Sequence, residues 1–421
     1  MKRKWTVSLL SISFVLMILG FTTIAGATEL RFLAVGYPSV LVTYYNQNVV
    51  PEFERLHGVK VILENTNWDS RMDKILISIA GGVPYDIVST GFYSVYEEGS
   101  QDLLAPLDHY LSRWELTNRF PAPVWEALKW KGHVYAVPQN HDLRAIAYNK
   151  NLFAQVGLDP NQPPQSWEEL ILATRRLTRM EGDRLTVRGF ARSSSVGGRA
   201  QELFWFMRML GVPEVDVETY TSNLDKPEAL EALRALAEIA EAARYRNSEM
   251  AGGFALERVA MQRQHPGAFV TAIQQNPGIA DSYGLFAPRR DPGSPPVTHD
   301  FINGLAILNA SRNKDLAWKF ITTLYEEDVL LEAQVISGFM AGRMDMMNRM
   351  MSAIHPKIGL FYDMFNYLQT SVVPPPRNTS QQVLGNLIQQ VYNGELSPAN
   401  ALDQAHHLWS MLLEDWRATI K

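Results

Sequence analysis

The sequence predicts an α/β fold of mainly parallel sheets flanked by helices, divided between two domains. Strand-like segments alternate with helix-like segments across short connections, which is typical of a parallel sheet covered by helices. The chain has 421 residues, which is more than one hydrophobic core usually accommodates. After residue 27 no apolar run reaches 18 residues and no heptad pattern occurs, so the sequence indicates neither a further membrane helix nor a coiled coil.

The first elements follow one another in a regular order. Strands are predicted at Leu30–Val35, Val59–Leu63 and Asp86–Ser89. A helix with apolar residues at helical spacing is predicted at Val40–Leu56, between the first two strands. A second helix precedes the third strand, and Asp69 is the expected N-cap because a carboxylate there can accept a bond from the first free backbone N–H groups.

The later part of the chain continues the pattern with longer helices. Ser166 and Glu169 match a capping box, in which the serine hydroxyl accepts the backbone N–H three residues on. The remaining predictions are strands at Val134–Val137, Leu143–Tyr148, Arg188–Ala191 and Gly304–Leu308, and helices at Arg199–Leu210, Pro227–Arg244, Leu256–Gln264 and Asp315–Tyr325, with two more beginning at Thr379 and at Ser397–Pro398. A tight turn is predicted at Lys131-Gly132, and the prolines within Val373–Arg377 predict an extended loop.

The N-terminus has the features of a secretory signal peptide. Basic residues at 2–4 precede an uncharged apolar stretch, Leu9–Ile24, and Ala25-Gly26-Ala27 fits a cleavage site. Residues 1–27 are therefore predicted to be removed, although an uncleaved membrane anchor is the alternative. The chain contains no cysteine, so the lipid anchor of a bacterial lipoprotein is excluded. We expect a periplasmic protein, with free secretion as the alternative.

The charge of the mature chain limits its partners. Without the three basic residues of the leader, 36 basic residues remain against 44 acidic ones, a net charge of −8. This sign argues against nucleic acid and against charge-driven docking on anionic membranes. We expect a monomer.

No catalytic or metal-binding motif is evident. The nine histidines form no ligand pattern, and the adjacent His406 and His407 point to different helix faces. A cysteine nucleophile is impossible, and no phosphate-binding or nucleophile-elbow motif occurs. We therefore expect no enzyme activity, cofactor or metal. A glycoside hydrolase stays open, because its two carboxylates come from distant positions.

Several motifs together resemble one family. The most characteristic are Lys131–Pro138, Tyr148–Phe153, Ser166–Glu169 and Ala317–Ile321, with Val50–Glu54 earlier in the chain. In order and spacing they resemble the bacterial extracellular solute-binding proteins of the maltose-binding type, which are the sugar-capture subunits of ABC importers. The resemblance covers nearly the whole mature chain. It implies a mono- or oligosaccharide ligand and permease subunits as partners. Two alternatives remain. The same fold could bind a polyol, a sugar phosphate or another polar solute, or the protein could carry a ligand to a sensor.

The resemblance also implies a two-lobed periplasmic-binding-protein fold with three hinge crossings. The crossings map near Gln139–Leu143, Val297–Asn303 and Gly342–Ser352. The N-terminal lobe would then comprise residues 28–141 and 303–345, and the C-terminal lobe residues 142–302 and 346–421. The ligand is expected in the cleft between the lobes, and closure would place it in contact with both.

Sugar binding requires aromatic faces beside polar groups, because a pyranose has apolar C–H faces and a rim of hydroxyls. Loops after the predicted strands offer both. By resemblance, Phe92 or Tyr93 would stack on the sugar and Asp142 would accept from its hydroxyls. The full set of candidate ligand-binding residues is Tyr37, Trp68, Phe92, Tyr93 and Asp142 from the loops of the first lobe and the first crossing, Ser193, Trp205 and Phe269 from the second lobe, and Asn303 and Arg343 near the later crossings.

Overall fold

The computed structural model describes residues 28–216, 218–245, 253–369 and 377–419. The predicted signal peptide lies outside these ranges, and so do residues 373–376 of the extended loop predicted at Val373–Arg377, whereas Arg377 is the first residue of a helix. The strands, in chain order, are β1 (Glu29–Val35), β2 (Lys60–Thr66), β3 (Ile87–Gly91), β4 (Lys129–Trp130), β5 (His133–Val134), β6 (Val137–His141), β7 (Ala145–Asn149), β8 (Arg179–Glu181), β9 (Arg184–Ala191), β10 (Val215–Asp216), β11 (Thr221–Ser222), β12 (Val259–Gln264), β13 (Tyr283–Phe286), β14 (Ile302–Ile307) and β15 (Met340–Ala341).

Helices cover both faces of the sheets. They are α1 (Ser39–Tyr44), which continues through a π turn at Tyr45–Val49 into α2 (Val50–His57), then α3 (Arg71–Ala80), α4 (Phe92–Ser100), α5 (Asp108–Leu111), α6 (Ala122–Glu126), α7 (Lys150–Gln155), α8 (Trp167–Leu177), α9 (Val196–Met209), α10 (Pro227–Ala242), α11 (Pro266–Gln275), α12 (Ile279–Ser282), α13 (Lys314–Leu324), α14 (Glu327–Ser337), α15 (Met347–Ala353), α16 (Gly359–Met364), α17 (Arg377–Asn393) and α18 (Pro398–Thr419). Within the described residues, no helix is long and apolar enough to cross a membrane.

Two large sheets form the centres of the two lobes. The first has six strands in the order β15-β6-β14-β3-β1-β2, and the second has five in the order β13-β7-β12-β9-β8. In the first sheet β1 runs parallel to β2 and β3, whereas β14 is antiparallel to β3 and β6, and β15 is antiparallel to β6. In the second sheet only the β9–β12 pair is parallel.

The sheets are therefore mixed rather than mainly parallel, which corrects the prediction of strand direction. The difference arises at the crossings between the lobes. Strand β14 enters the first sheet from the other lobe, so it runs opposite to β3, and β7 leaves the first lobe to run opposite to β12. The alternation of strand and helix in the sequence could not reveal these returns, because the antiparallel partners are far apart in the chain.

The two predicted crossings that join strands lie side by side. The backbone N–H of Asp142 donates to the carbonyl of Phe301 (3.0 Å), and that of Arg144 donates to the carbonyl of His299 (2.6 Å). His141 and Asp300 are buried here, with His141 Nδ1 2.6 Å from Asp300 Oδ2. Antiparallel bonding of this kind connects the lobes through a short ribbon.

Apolar clusters lie on both faces of each sheet. Phe32 and Phe320 belong to one cluster of the first lobe, and Tyr93 and Trp130 to the cluster on its other face. In the second lobe, Trp205 lies in the larger cluster and Phe269 in the smaller. Each lobe thus has its own core, in agreement with the two domains predicted from chain length.

Two local predictions, the capping box at Ser166 and the turn at Lys131-Gly132, were confirmed. The Ser166 hydroxyl accepts from the backbone N–H of Glu169 (3.1 Å), and the Glu169 carboxylate accepts from that of Gln165 (2.7 Å). Lys131 and Gly132 both have positive φ, as a tight hairpin turn between β4 and β5 requires.

Two local predictions were wrong. The segment Leu256–Gln264 was expected to be helical, but Val259–Gln264 is strand β12, which lies between β7 and β9. A central strand is buried on both faces, so it lacks the alternation that identifies a strand in sequence. Helix α3 begins at Arg71 after Ser70, and no side chain caps it. Asp69 instead accepts a hydrogen bond from Gln382 Nε2 (2.9 Å).

Candidate ligand-binding cleft

Two adjoining cavities lie between the edges of the two sheets. The larger, called here the large compartment, has a volume of about 600 Å³. Its first-lobe wall is formed by the loop after β2 and by α3 and α4, and its second-lobe wall by the N-terminus of α9, by β12 and by α17. The lining residues are Trp68, Asp69, Arg71, Met72, Asp73, Leu76, Tyr93, Ser94, Glu97, Asp142, Arg144, Ser193, Ser195, Gly197, Gly198, Gln201, Arg263, Phe301, Asn303, Thr379, Gln381 and Gln382.

The first lobe supplies an aromatic wall to the large compartment. The rings of Trp68 and Tyr93 meet edge to face with centroids 5.7 Å apart, and those of Tyr93 and Phe301 do so at 6.0 Å. The Trp68 ring also packs on Gly36, where a Cβ atom would lie 2.9 Å from the indole Nε1. Gly36 has a φ of +71°, so glycine is required there both for its backbone conformation and for this contact. The aromatic faces are thus held in fixed positions.

Charged groups also line the large compartment, and the arginines at the first crossing and on β12 each lie near a carboxylate. Arg144 Nη2 donates to Asp142 Oδ2. Arg263 Nε lies 3.8 Å from Glu202 Oε1, and Glu202 also accepts from the backbone N–H of Ser193 (2.8 Å). The positive charges of this part of the cleft are therefore neutralised within the protein.

Three buried polar atoms of this group have no hydrogen-bond partner among the residues that the structure describes. They are Asp142 Oδ1, Arg144 Nε and Arg263 Nη1. His265 Nδ1 lies 3.4 Å from Asp142 Oδ1, but the two atoms form no hydrogen bond. A buried polar atom without a partner typically costs about 1–3 kcal/mol, so such atoms gain when a ligand supplies the missing bonds. The cluster offers donors and an acceptor together, which suits a hydroxyl group.

Burial shifts the protonation of the groups behind this wall. Burial lowers the pKa of Arg263 to about 10, and Glu202 opposes this shift, so the guanidinium stays charged at neutral pH. The pKa of Glu202 is raised by burial, against the attraction of Arg263. Burial, reinforced by Arg144, lowers the pKa of His265 to about 4, and Asp142 opposes the shift. His265 is therefore neutral at pH 7.

The structure brings five of the ten predicted residues together in the large compartment, namely Trp68, Tyr93, Asp142, Ser193 and Asn303. Tyr37 lines the second cavity instead, with its hydroxyl bonded to Gln139. Phe92 lies behind Tyr93, in the core between β3 and α4, with ring centroids 5.5 Å apart.

The other three predicted residues have structural partners away from both cavities. Trp205 is buried in the second core and donates its Nε1–H to the carbonyl of Val297 (2.9 Å). Phe269 is fully buried against Tyr283, with centroids 4.6 Å apart. Arg343 forms an ion pair with Asp345 and donates to the carbonyl of Tyr325. These contacts account for the three residues without a ligand.

Sequence reasoning missed Arg263 and the glutamine pair of α17, Gln381 and Gln382. Arg263 lay in the segment interpreted as a helix, so its neighbours in space were not recognised. The glutamines belong to a helix whose start was predicted, but only the tertiary fold brings that helix to the cleft. Among the described residues, no group of three or more histidines and carboxylates could hold a metal ion.

The second cavity, called here the small compartment, has a volume of about 480 Å³. It is lined by Gly36, Tyr37, Pro38, Gly253, Phe254, Ala255, Gln262, Gln264, His265, Gly267, Ala268, Thr271, Ala272, Gln275, Ser337 and Phe339. Because the loop after β1 and the end of β12 both contribute, this cavity also lies between the lobes.

Comparison with known proteins agrees with this architecture. The family profile described as bacterial extracellular solute-binding protein matches residues 39–330, which confirms the resemblance inferred from the motifs. A putative binding protein of Brucella abortus (strain 2308) is 23% identical over 411 residues, which cover 96% of this chain and 97% of the relative.

Solved structures share the fold. An ABC transporter solute-binding protein from Thermotoga lettingae, bound with α-D-tagatose, has a TM-score of 0.80 at 24% identity and covers 92% of this chain and 100% of its own. One from Agrobacterium radiobacter K84, in complex with ribitol, has a TM-score of 0.77 at 19% identity, with 92% and 99% covered. These similarities confirm the predicted two-lobed fold.

Proposed function

Because the chain belongs to the bacterial extracellular solute-binding protein family, we propose that it is the binding subunit of an ABC importer, which captures a neutral carbohydrate between its lobes and delivers it to the permease subunits. The proposal includes a non-enzymatic, monomeric protein that reaches the periplasm through a cleaved signal peptide. The proposed lobes are residues 28–141 with 303–345, and 142–302 with 346–421.

One observation carries the choice of ligand class. In the large compartment, an aromatic wall and three buried polar atoms line one cavity, and the polar atoms, Asp142 Oδ1, Arg144 Nε and Arg263 Nη1, have no hydrogen-bond partner among the described residues. An apolar sugar face suits the rings of Trp68 and Tyr93, while hydroxyls on its rim suit the polar cluster. Closure would bring both kinds of contact to one ligand, so bound ligand would favour the closed state.

The charge distribution favours a neutral ligand over a sugar phosphate. A phosphate only accepts hydrogen bonds and carries negative charge, so it requires arginines whose charge is not already neutralised. Here Asp142 lies beside Arg144, and Glu202 lies near Arg263. A phosphate at this position would also be repelled by the Asp142 carboxylate.

A thermal-shift screen followed by calorimetric titration tests the proposal. The panel contains neutral mono- and oligosaccharides, polyols, sugar phosphates and amino acids. A ligand present at 100 times its dissociation constant adds about 2.7 kcal/mol of stability. We expect neutral saccharides to give the largest shifts. A shift only with sugar phosphates, amino acids or polyols would contradict the ligand class.

Two tryptophan variants connect binding to the cleft. Trp68→Ala removes one stacking face, and we expect a loss of about tenfold or more in affinity, equivalent to about 1.4 kcal/mol. Trp318→Ala is the control, because Trp318 stacks on Tyr110 (4.9 Å) within the first lobe and lines neither compartment. Equal loss in both variants would argue against the site. Uptake of the same sugar should fail in cells that lack the protein.

A further inference from the structure

We propose that the cleft binds an elongated carbohydrate of at least two sugar units, with one unit in the large compartment and the next in the small compartment. This inference rests on the proposed function and specifies its ligand by size. It depends on two observations. The small compartment has aromatic and polar side chains of its own, and residues that line it contact residues that line the large compartment.

The small compartment has its own aromatic and polar lining. Tyr37, Phe254 and Phe339 provide aromatic surface from three different segments of the chain. Gln262 and Gln275 add amides, which both donate and accept hydrogen bonds. This combination is the one that a sugar requires, and it repeats, with other residues, what the large compartment offers.

The two compartments differ in charge. The large compartment is lined by several Asp, Glu and Arg residues, whereas none of the described residues that line the small compartment is Asp, Glu, Lys or Arg. His265 is neutral at pH 7, as its lowered pKa indicates. The small compartment therefore suits an uncharged unit, held by weaker, neutral hydrogen bonds.

The two compartments meet at two points, where a residue that lines one contacts a residue that lines the other. His265 Nδ1 in the small compartment lies 3.4 Å from Asp142 Oδ1 in the large one. On the first lobe, the Trp68 ring of the large compartment packs on Gly36 of the small one. The contact is so close that a Cβ atom on Gly36 would lie 2.9 Å from the indole Nε1.

Strand β12 contributes to both compartments. Arg263 lines the large one, whereas its neighbours Gln262 and Gln264 line the small one, because successive side chains of a strand point to opposite faces. The cleft thus crosses the edge of the sheet from one face to the other. A ligand that follows it must be longer than one ring.

The experiment compares ligands of increasing length on matched variants. The monosaccharide with the largest thermal shift is titrated by calorimetry, together with its di- and trisaccharides. Ala268→Trp places a bulky ring in the small compartment, and Gln201→Trp does the same in the large one. Leu172→Trp is the surface control, at a half-exposed position outside both.

For the unaltered protein we expect the disaccharide to bind about tenfold more tightly than the monosaccharide or better. Ala268→Trp should reduce this ratio to below about threefold, Gln201→Trp should weaken binding of both ligands, and Leu172→Trp should change neither. Equal affinities for mono- and disaccharide in the unaltered protein would overturn the inference, and so would an unchanged ratio in folded Ala268→Trp. Binding of no saccharide at all would instead contradict the proposed function.

Discussion

The buried ion pair between Arg71 and Glu98 allows a quantitative test of what holds the first-lobe wall of the cleft. Both side chains are almost completely buried, with 2% and 1% exposed. The Glu98 carboxylate accepts from both guanidinium Nη atoms and from Thr90 Oγ1 (2.8 Å), and Arg71 Nε donates to the carbonyl of Ser89. The pair ties the start of α3 to β3 and α4, directly behind the large compartment.

Removing one partner should be far more harmful than removing both. Glu98→Leu leaves a buried guanidinium without its counter-charge, which should destabilise the protein by about 3–5 kcal/mol. At about 2–4 °C per kcal/mol for a lobe of this size, the melting temperature should fall by about 6–20 °C. The double variant Arg71→Met with Glu98→Leu removes both charges and should recover to within about 1 kcal/mol of the original stability.

The assay is urea unfolding followed by both circular dichroism and tryptophan fluorescence, since two lobes can unfold separately. Glu52→Leu is the control, because Glu52 and Arg55 form an ion pair on the surface, with 57% and 67% of their side chains exposed. That variant should leave the midpoint of urea unfolding nearly unchanged, because solvent screens an exposed ion pair. A double variant as unstable as Glu98→Leu, or a Glu98→Leu variant as stable as Glu52→Leu, would refute the reasoning.

Three further predictions concern single sites. Gly189→Ala places a Cβ about 2.0 Å from the Thr174 carbonyl oxygen and should destabilise the protein by about 3 kcal/mol or more. Gly253→Ala places a Cβ that meets no atom of the described residues within 4 Å, so it should be neutral in the same urea titration. Ser166→Ala removes the cap of α8 and should lower the free energy of unfolding by about 1 kcal/mol; no change would mean that the cap is dispensable. The pKa of His265 is lowered from 6.5 to about 4 in the folded protein, so between these pH values the histidine is mostly protonated in the unfolded chain and mostly neutral in the folded protein. The free energy of unfolding should therefore fall as the pH drops below 6.5. Between pH 7 and 5 this contributes at most about 2 kcal/mol, and His265→Asn should have a shallower pH dependence of melting than the unaltered protein.

The sequence predicted those parts of the fold whose signals are local. The cap at Ser166, the turn at Lys131-Gly132 and strand β1 each depend on a few consecutive residues. Strand β12 could not be identified in this way, because a strand buried on both faces has no alternation of polar and apolar residues. The antiparallel strands at the crossings depend on pairings between residues about 160 positions apart, such as His141 with Ile302.

The candidate site was predictable to a similar degree. The loops at the ends of predicted strands led to Trp68, Tyr93 and Asp142, which line the large compartment, and their contact with a ligand stays a prediction. The sequence could not distinguish Trp205 from these residues. It lies in a helix that is apolar on most sides, so the pattern does not show which face packs in the core. Arg263 was missed because its role depends on Glu202, a partner 61 positions away.

The hydrogen bond from Gln382 to Asp69 has a consequence for how affinity is set. It joins the second lobe to the first at the edge of the large compartment, between two residues that both line it. If a ligand can enter only when the lobes are apart, this bond lowers the fraction of molecules that are open to it. The observed dissociation constant is the intrinsic one divided by the fraction of molecules ready to bind. A change at Asp69 that acts only through that fraction would therefore multiply the affinity for every solute by the same factor and leave the order of preference among them untouched.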